Sequence, residues 1–180
     1  MSARFWHGVV LLCSALAAGC DGNTRLMEHV IDNEPDRVQR LLDDSTDVDA
    51  RNNYGWTALM HAARLGHTEL VRVLIEHGAD VNMPDEGGMT PLMRAAMKGH
   101  TETAELLIAH GAQVNARSDD GWTPLQWAAL RGHEEIAALL LNSGADPDIK
   151  NNDDLTARML AGREGHGEIL FMLDKAGAQQ

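Results

Sequence analysis

A block of 33 residues repeats along this chain: Gly55, Gly88 and Gly121 each stand two residues ahead of Thr57, Thr90 and Thr123, and Thr156 marks a further copy. Ala62, Ala95, Ala128 and Ala161 fall in register. So do Gly66-His67, Gly99-His100, Gly132-His133 and Gly165-His166, and the closing pairs Gly78-Ala79, Gly111-Ala112, Gly144-Ala145 and Gly177-Ala178. Counting back 33 from Thr57 reaches Thr24, with Gly22, Leu26, Leu41, Leu42 and Val48 also in register, so a weaker first copy begins near Asp21. A fixed period of this length requires one supersecondary unit stacked on copies of itself. The expected fold is an all-α repeat solenoid of about five units, near residues 21–52, 53–85, 86–118, 119–151 and 152–180.

The residues of each block dictate two short helices. Thr90-Pro91 and Thr123-Pro124 pair a helix-capping hydroxyl with a proline at the first helical position, where its fixed φ and missing N–H cost nothing. A helix starting there runs only to Gly66, Gly99 or Gly132, each suited to the left-handed conformation that ends a helix. That first helix is about two turns long. The second segment, from Thr68, spaces Leu70, Val71, Leu74 and Ile75 as one helical face before Gly78 stops it. Helices shorter than about 12 to 15 residues are marginal alone in water, so stacking must supply the stability. The end units depart from the pattern. Asp154, Arg158 and Gly162 replace the glycine, leucine and alanine of the last copy, and His29-Val30 and Asn33-Glu34 replace the alanine pair and Gly-His of the first. Such substitutions suit caps that face water.

Gly-Trp-Thr-Pro-Leu-Gln-Trp-Ala-Ala over 121–129 and Gly-Ala-Asp-Val-Asn over 78–82 resemble the ankyrin repeat, and the resemblance covers residues 21 to 180. It implies a β-turn followed by two antiparallel helices per unit. It also implies a concave binding surface made by the hairpin tips and the exposed face of the first helix. Carried onto this sequence, that surface takes Tyr54, Trp56, His61, Arg64 and Leu65 from one unit. The next unit supplies Glu86, Met89, Arg94, Met97 and Lys98, and the one after it Asp119, Asp120, Trp122, Trp127, Leu130 and Arg131. The family usually has His directly after Thr-Pro-Leu. Here Met60, Met93, Gln126 and Met159 stand instead, which removes the side chain of the family's hydrogen bond.

Residues 1 to 20 lie outside the period. Arg4 is followed by an apolar stretch from Val9 to Ala18 and a run of small residues before Cys20, the layout of an export signal and too short to span a bilayer. Leu16-Ala17-Ala18-Gly19-Cys20 resembles the lipobox of bacterial lipoproteins, which implies a signal over 1–19, cleavage before Cys20 and acylation of that cysteine. Asp21 resembles the residue that retains enterobacterial lipoproteins in the inner membrane. The first repeat would then sit against the bilayer with no tether. Cleavage after Ala15-Leu16-Ala17 is the alternative and would release a soluble periplasmic protein. An uncleaved apolar N-terminus on an intracellular protein is a further variant.

Cys13 and Cys20 are the only cysteines, and the net charge is −12. Acidity disfavours nucleic acid, whose binding rests on Lys and Arg neutralising phosphates, and favours a partner protein with a basic surface. No G-x-S-x-G, phosphate-cradling glycine loop, H-E-x-x-H or Cys-x-x-Cys motif is present, so neither catalysis nor a cofactor is expected. His67, His100, His133 and His166 would lie about 8 to 10 Å apart in neighbouring units, too far to share a zinc ion bound at about 2.0 to 2.1 Å. They are read instead as polar groups satisfying backbone at the turn between helices. Met89, Met93 and Met97, four apart, suggest either packing, an adaptable contact surface, or a copper(I) site. The residues that do not repeat carry specificity, and all three tryptophans after the N-terminal segment belong to them. The expected function is therefore an exported, monomeric module that binds another protein on its concave face. An inhibitor or immunity-type protein that neutralises a toxic or enzymatic partner is the alternative.

Overall fold

A computed structural model of the protein describes residues 21–177. The segment expected to be a leader, with its expected cleavage site and Cys20, lies outside the described residues. Within them the chain forms ten helices and no strand, paired two to a unit. These are α1 (Arg25–Ile31) and α2 (Pro35–Asp43), α3 (Ala58–Leu65) and α4 (Thr68–Glu76), α5 (Pro91–Lys98) and α6 (Thr101–Ala109), α7 (Pro124–Arg131) and α8 (Glu134–Asn142), then α9 (Ala157–Glu164) and α10 (Gly167–Gly177). None is long and apolar enough to cross a membrane.

Every first helix begins the same way. Thr24, Thr57, Thr90, Thr123 and Thr156 each accept a hydrogen bond from the backbone N–H three residues on, at 3.3 or 3.4 Å. From the second unit onward every first helix also ends the same way, on Gly66, Gly99, Gly132 or Gly165 in the left-handed region. Asn33 takes that conformation in the first unit, at φ 55°, and Asp154 adopts φ 60° where the other units have the turn glycine. Asn and Asp tolerate it better than other side chains, so the cap units keep the backbone path despite losing glycine.

The helices form two layers. Consecutive first helices pack closely on each other, while the second helices touch their neighbours less, so the stack curves with the first helices on the inside. Alanine makes the close approach possible: Ala62, Ala63, Ala95, Ala96, Ala128 and Ala129 are fully buried. Between the layers lie the stripes expected from the sequence, with Leu70, Val71, Leu74, Leu107, Ile136 and Leu140 almost completely excluded from water. Burying each such side chain contributes roughly 1.5 to 3 kcal/mol.

Among the bonds that join units are three recurring kinds. At the hairpin tips, Asn53, Glu86, Asp119 and Asn152 donate backbone N–H to the carbonyls of Asp21, Tyr54, Gly87 and Asp120, at 3.0 to 3.3 Å. On the outer loops, the side chains of Asn82 and Asn115 accept from Gln113 and Asp146 and donate to the carbonyls of Gly111 and Gly144. The phased histidines supply the third. His100 donates to the Arg64 carbonyl at 3.1 Å and His133 to the Met97 carbonyl at 3.3 Å, each reaching back into the preceding unit's first helix. The expected role at the turn holds for these two, with the partner in the neighbouring unit.

Candidate protein-binding face

The concave face begins with how each hairpin is held. One register position, occupied by Asn52, Asp85, Ser118 and Asn151, is buried in every unit from the second onward. Its side-chain oxygen accepts the backbone N–H four residues ahead, from Trp56, Met89, Trp122 or Leu155, at 2.9 to 3.1 Å. Its own N–H donates to the carbonyl of that same residue. The hairpin is thereby closed, and the residue four positions on is fixed at the front of the stack, where Trp56 and Trp122 lie half-buried. Sequence reasoning missed this position, because its four occupants share only an oxygen acceptor.

Asp85 differs from its counterparts in bearing charge. While holding the N–H groups of Gly87 and Met89, it forms an ion pair with Arg94 of α5, and both side chains are largely buried. The pair fixes the Arg94 guanidinium 4.1 Å above the centre of the Trp56 indole. Arg64 lies 5.6 Å from the same ring, and His61 meets it at 4.9 Å with the planes tilted by 50°. Cations over an indole are each worth about 0.5 to 2 kcal/mol. Trp56 is thus clasped in one orientation. Two units further on, Trp122 stacks on Trp127 with centroids 4.5 Å apart and planes 25° from parallel.

A groove of about 500 Å³ opens around Trp56, lined by Tyr54, His61, Arg64, Arg94, Met97 and Lys98 together with Asp21, Asn23 and Asn52. Seven of the residues expected on the binding surface therefore converge in one cleft. Tyr54 stands 56% exposed at its rim. Leu65, Glu86, Asp119, Asp120 and Arg131 are also exposed, and Trp122, Trp127 and Leu130 are half-buried. Met89, like His61 at 8% exposure, is an exception. It shares a register position with Trp56 and Trp122 but is 9% exposed and packs inward, so it offers a partner little surface. Met93 is completely buried while Met97 lines the groove, so the three methionines do not present their sulfurs on one open face. No cluster of His, Cys, Asp or Glu able to hold a metal occurs among the described residues.

His61 is 8% exposed, and burial, reinforced by Arg64 and Arg94 and opposed by Asp21, lowers its pKa from the usual 6.5 to about 4. At neutral pH it is an uncharged ring in a cationic setting. Where most units of the family carry histidine, Gln126 is buried and donates to the carbonyls of Ile149 and Leu155 at 2.7 and 3.0 Å, while its oxygen accepts the Thr123 N–H. At this register position an amide therefore ties its unit to the next through the Leu155 carbonyl.

The net charge of −12 is unevenly laid out. The five first helices carry seven basic side chains, Arg25, Arg64, Arg94, Lys98, Arg131, Arg158 and Arg163, against Glu28 and Glu164. The five second helices carry ten acidic side chains and four basic ones. Summed charge favours a basic partner only if it is spread evenly. The first helices, which form one wall of the groove, carry the opposite sign from the molecule, while the hairpin tips beside them carry Asp21, Asp85, Glu86, Asp119 and Asp120.

Models of known families match along the chain. One described as "Ankyrin repeats (3 copies)" matches residues 84–151 and 116–180, and one described as "Ankyrin repeats (many copies)" matches 26–69 and 59–108. No curated protein matches the chain. With matches running from 26 to 180, and with capped helix pairs stacked in register throughout the described residues, the chain belongs to the ankyrin-repeat family.

Proposed function

We propose that the chain is an exported binding module that holds another protein against its concave face and carries out no chemistry of its own. Ankyrin repeats generally mediate protein–protein interaction, and this chain belongs to that family. The observation that carries the reading is the convergence of unphased side chains, Tyr54, Trp56, Arg64, Met97 and Lys98, on one open groove that the repeated framework does not require. Trp and Arg are the residues most enriched where binding energy concentrates. The lipobox-like segment supports export, with a lipid anchor at Cys20 on the inner membrane and a soluble periplasmic form as the alternative. Intact mass of the protein purified from its own cells distinguishes acylated Cys20 from cleavage after Ala17 and from an uncleaved chain.

The test of binding is capture of cross-linked partners from cell-envelope extract. The double substitution Trp122→Ala and Trp127→Ala is expected to lose a partner that Glu102→Ala on the outer layer retains, at a cost on the order of 2 kcal/mol or more. Retention of every partner by the folded double variant would overturn the proposal.

A further inference from the structure

The inner layer combines three features that bear on what it binds. First, Arg64, Lys98 and Arg131 occupy the last turns of α3, α5 and α7, in consecutive units, and none of them forms an ion pair among the described residues. Second, the position they follow carries His61, Arg94 and Trp127 at intervals of 33, and each has a buried nitrogen without a hydrogen-bond partner: His61 Nε2, Arg94 Nε and Trp127 Nε1. The arginine and tryptophan nitrogens can only donate. Each of the three side chains lies against an indole of the front face, Trp56 or Trp122. Third, the apolar surface of Tyr54 and Trp56 stands beside Arg64 and Lys98 in the same groove.

We propose, resting on the protein-binding reading above, that the occupant of this face is an extended acidic peptide segment laid across α3, α5 and α7. Its carboxylates meet Arg64, Lys98 and Arg131, and its apolar side chains rest on Tyr54 and Trp56. A row of unpaired cations costs nothing while solvated and attracts carboxylates along its whole length. The three buried nitrogens lie under the indoles, out of a peptide's reach, so the segment is held by the cations and the aromatic rim. The acidic outer helices repel the same segment, and Glu86, Asp119 and Asp120 at the hairpin tips confine its carboxylates to the helix side of the face, beside Arg64, Lys98 and Arg131.

The test uses the purified protein and a fluorescent peptide of about ten residues, ample to cross three helices spaced roughly 10 Å apart. Glu alternates in it with Leu and Tyr, and a matched peptide has Lys in place of Glu. Anisotropy is expected to show the acidic peptide binding at least tenfold more tightly than the basic one, with binding weakened by salt. Replacing Arg64, Lys98 and Arg131 together by Glu is expected to reverse the preference while circular dichroism stays unchanged. The exposed pair Lys98→Glu and Arg131→Glu provides a milder variant should the triple fail to fold. Equal or tighter binding of the basic peptide, binding of neither, or an acidic complex indifferent to the reversals would each overturn the assignment. Equal competition by a single-stranded oligonucleotide would also overturn it, since the face would then read anionic charge without regard to a peptide. Partner capture that still depends on Trp122 and Trp127 alongside any of these results would leave the binding-module reading standing and remove only the acidic segment.

Discussion

At the scale of single residues, Asp85 does two jobs that its counterparts divide. Like Asn52 and Asn151 it closes a hairpin, and unlike them it anchors the arginine that lies on Trp56. Asp85→Ala strands two backbone N–H groups and a guanidinium, and removing one member of a buried pair typically costs about 3 to 5 kcal/mol. Asp85→Asn keeps the acceptor used in two other units and loses only the charge, so it is expected to cost clearly less. Urea denaturation of the two variants measures the difference. His61 sets a pH dependence. Its folded pKa, about 4, lies below the unfolded value of 6.5, so between those values the unfolded chain binds more protons and stability rises with pH. Acidification across that window is expected to remove on the order of 3 kcal/mol, and His61→Gln to remove that share of the slope when denaturation midpoints are compared at pH 4.5 and 7. Neither role was legible beforehand. Asp85 was hidden among Asn and Ser because the turn asks only for an oxygen, and the burial of His61 depends on Trp56 folding over it from the hairpin.

At the scale of elements, the sequence told nearly everything. Thr-Pro, the alanine pairs and the glycines marked both ends of each first helix, and the observed spans follow those marks. Met89 shares its register with two tryptophans and was expected beside them, but it is buried, as is His61. Periodicity assigns a position, whereas the room available decides whether the side chain turns outward. The glycines can be separated by what surrounds them. Gly99 and Gly111 both adopt positive φ, 85° and 88°. A Cβ on Gly99 would sit 2.8 Å from the ring of His133, whereas one on Gly111 meets nothing within 4 Å. Gly111→Ala is expected to cost about 1 kcal/mol, the strain of a left-handed alanine. Gly99→Ala is expected to cost more, by displacing the histidine that bonds to the Met97 carbonyl. Thermal unfolding of the two variants tests the order.

At the scale of the whole molecule, stability is a chain of nearest-neighbour interfaces rather than a single core. A cavity in the middle must therefore weaken both of its flanks, while one at the end loosens only the last unit. Leu107, fully buried in α6, is expected to lose about 2 to 5 kcal/mol on substitution by alanine and to lower protection across the adjacent units. Leu173→Ala, in terminal α10, is expected to raise hydrogen exchange in α9 and α10 alone, and exchange measured peptide by peptide distinguishes the two. What the sequence concealed at this scale was the separation of charge. A sum over residues cannot show that the basic side chains gather on the first helices, although counting them by register position would have done so.

The backbone bonds at the hairpin tips pair each block with the next through an N–H and a carbonyl, atoms that every residue there possesses. Tandem duplication of residues 119–151 would thus present the newcomer with ready-made partners on both sides. Gln126 of the first copy would find a main-chain oxygen where Leu155 now supplies one, and residue 119 of the second would dock on the carbonyl of Asp120. Growth by copying, and with it a wider grip, is open to this architecture without any side chain having to be reinvented.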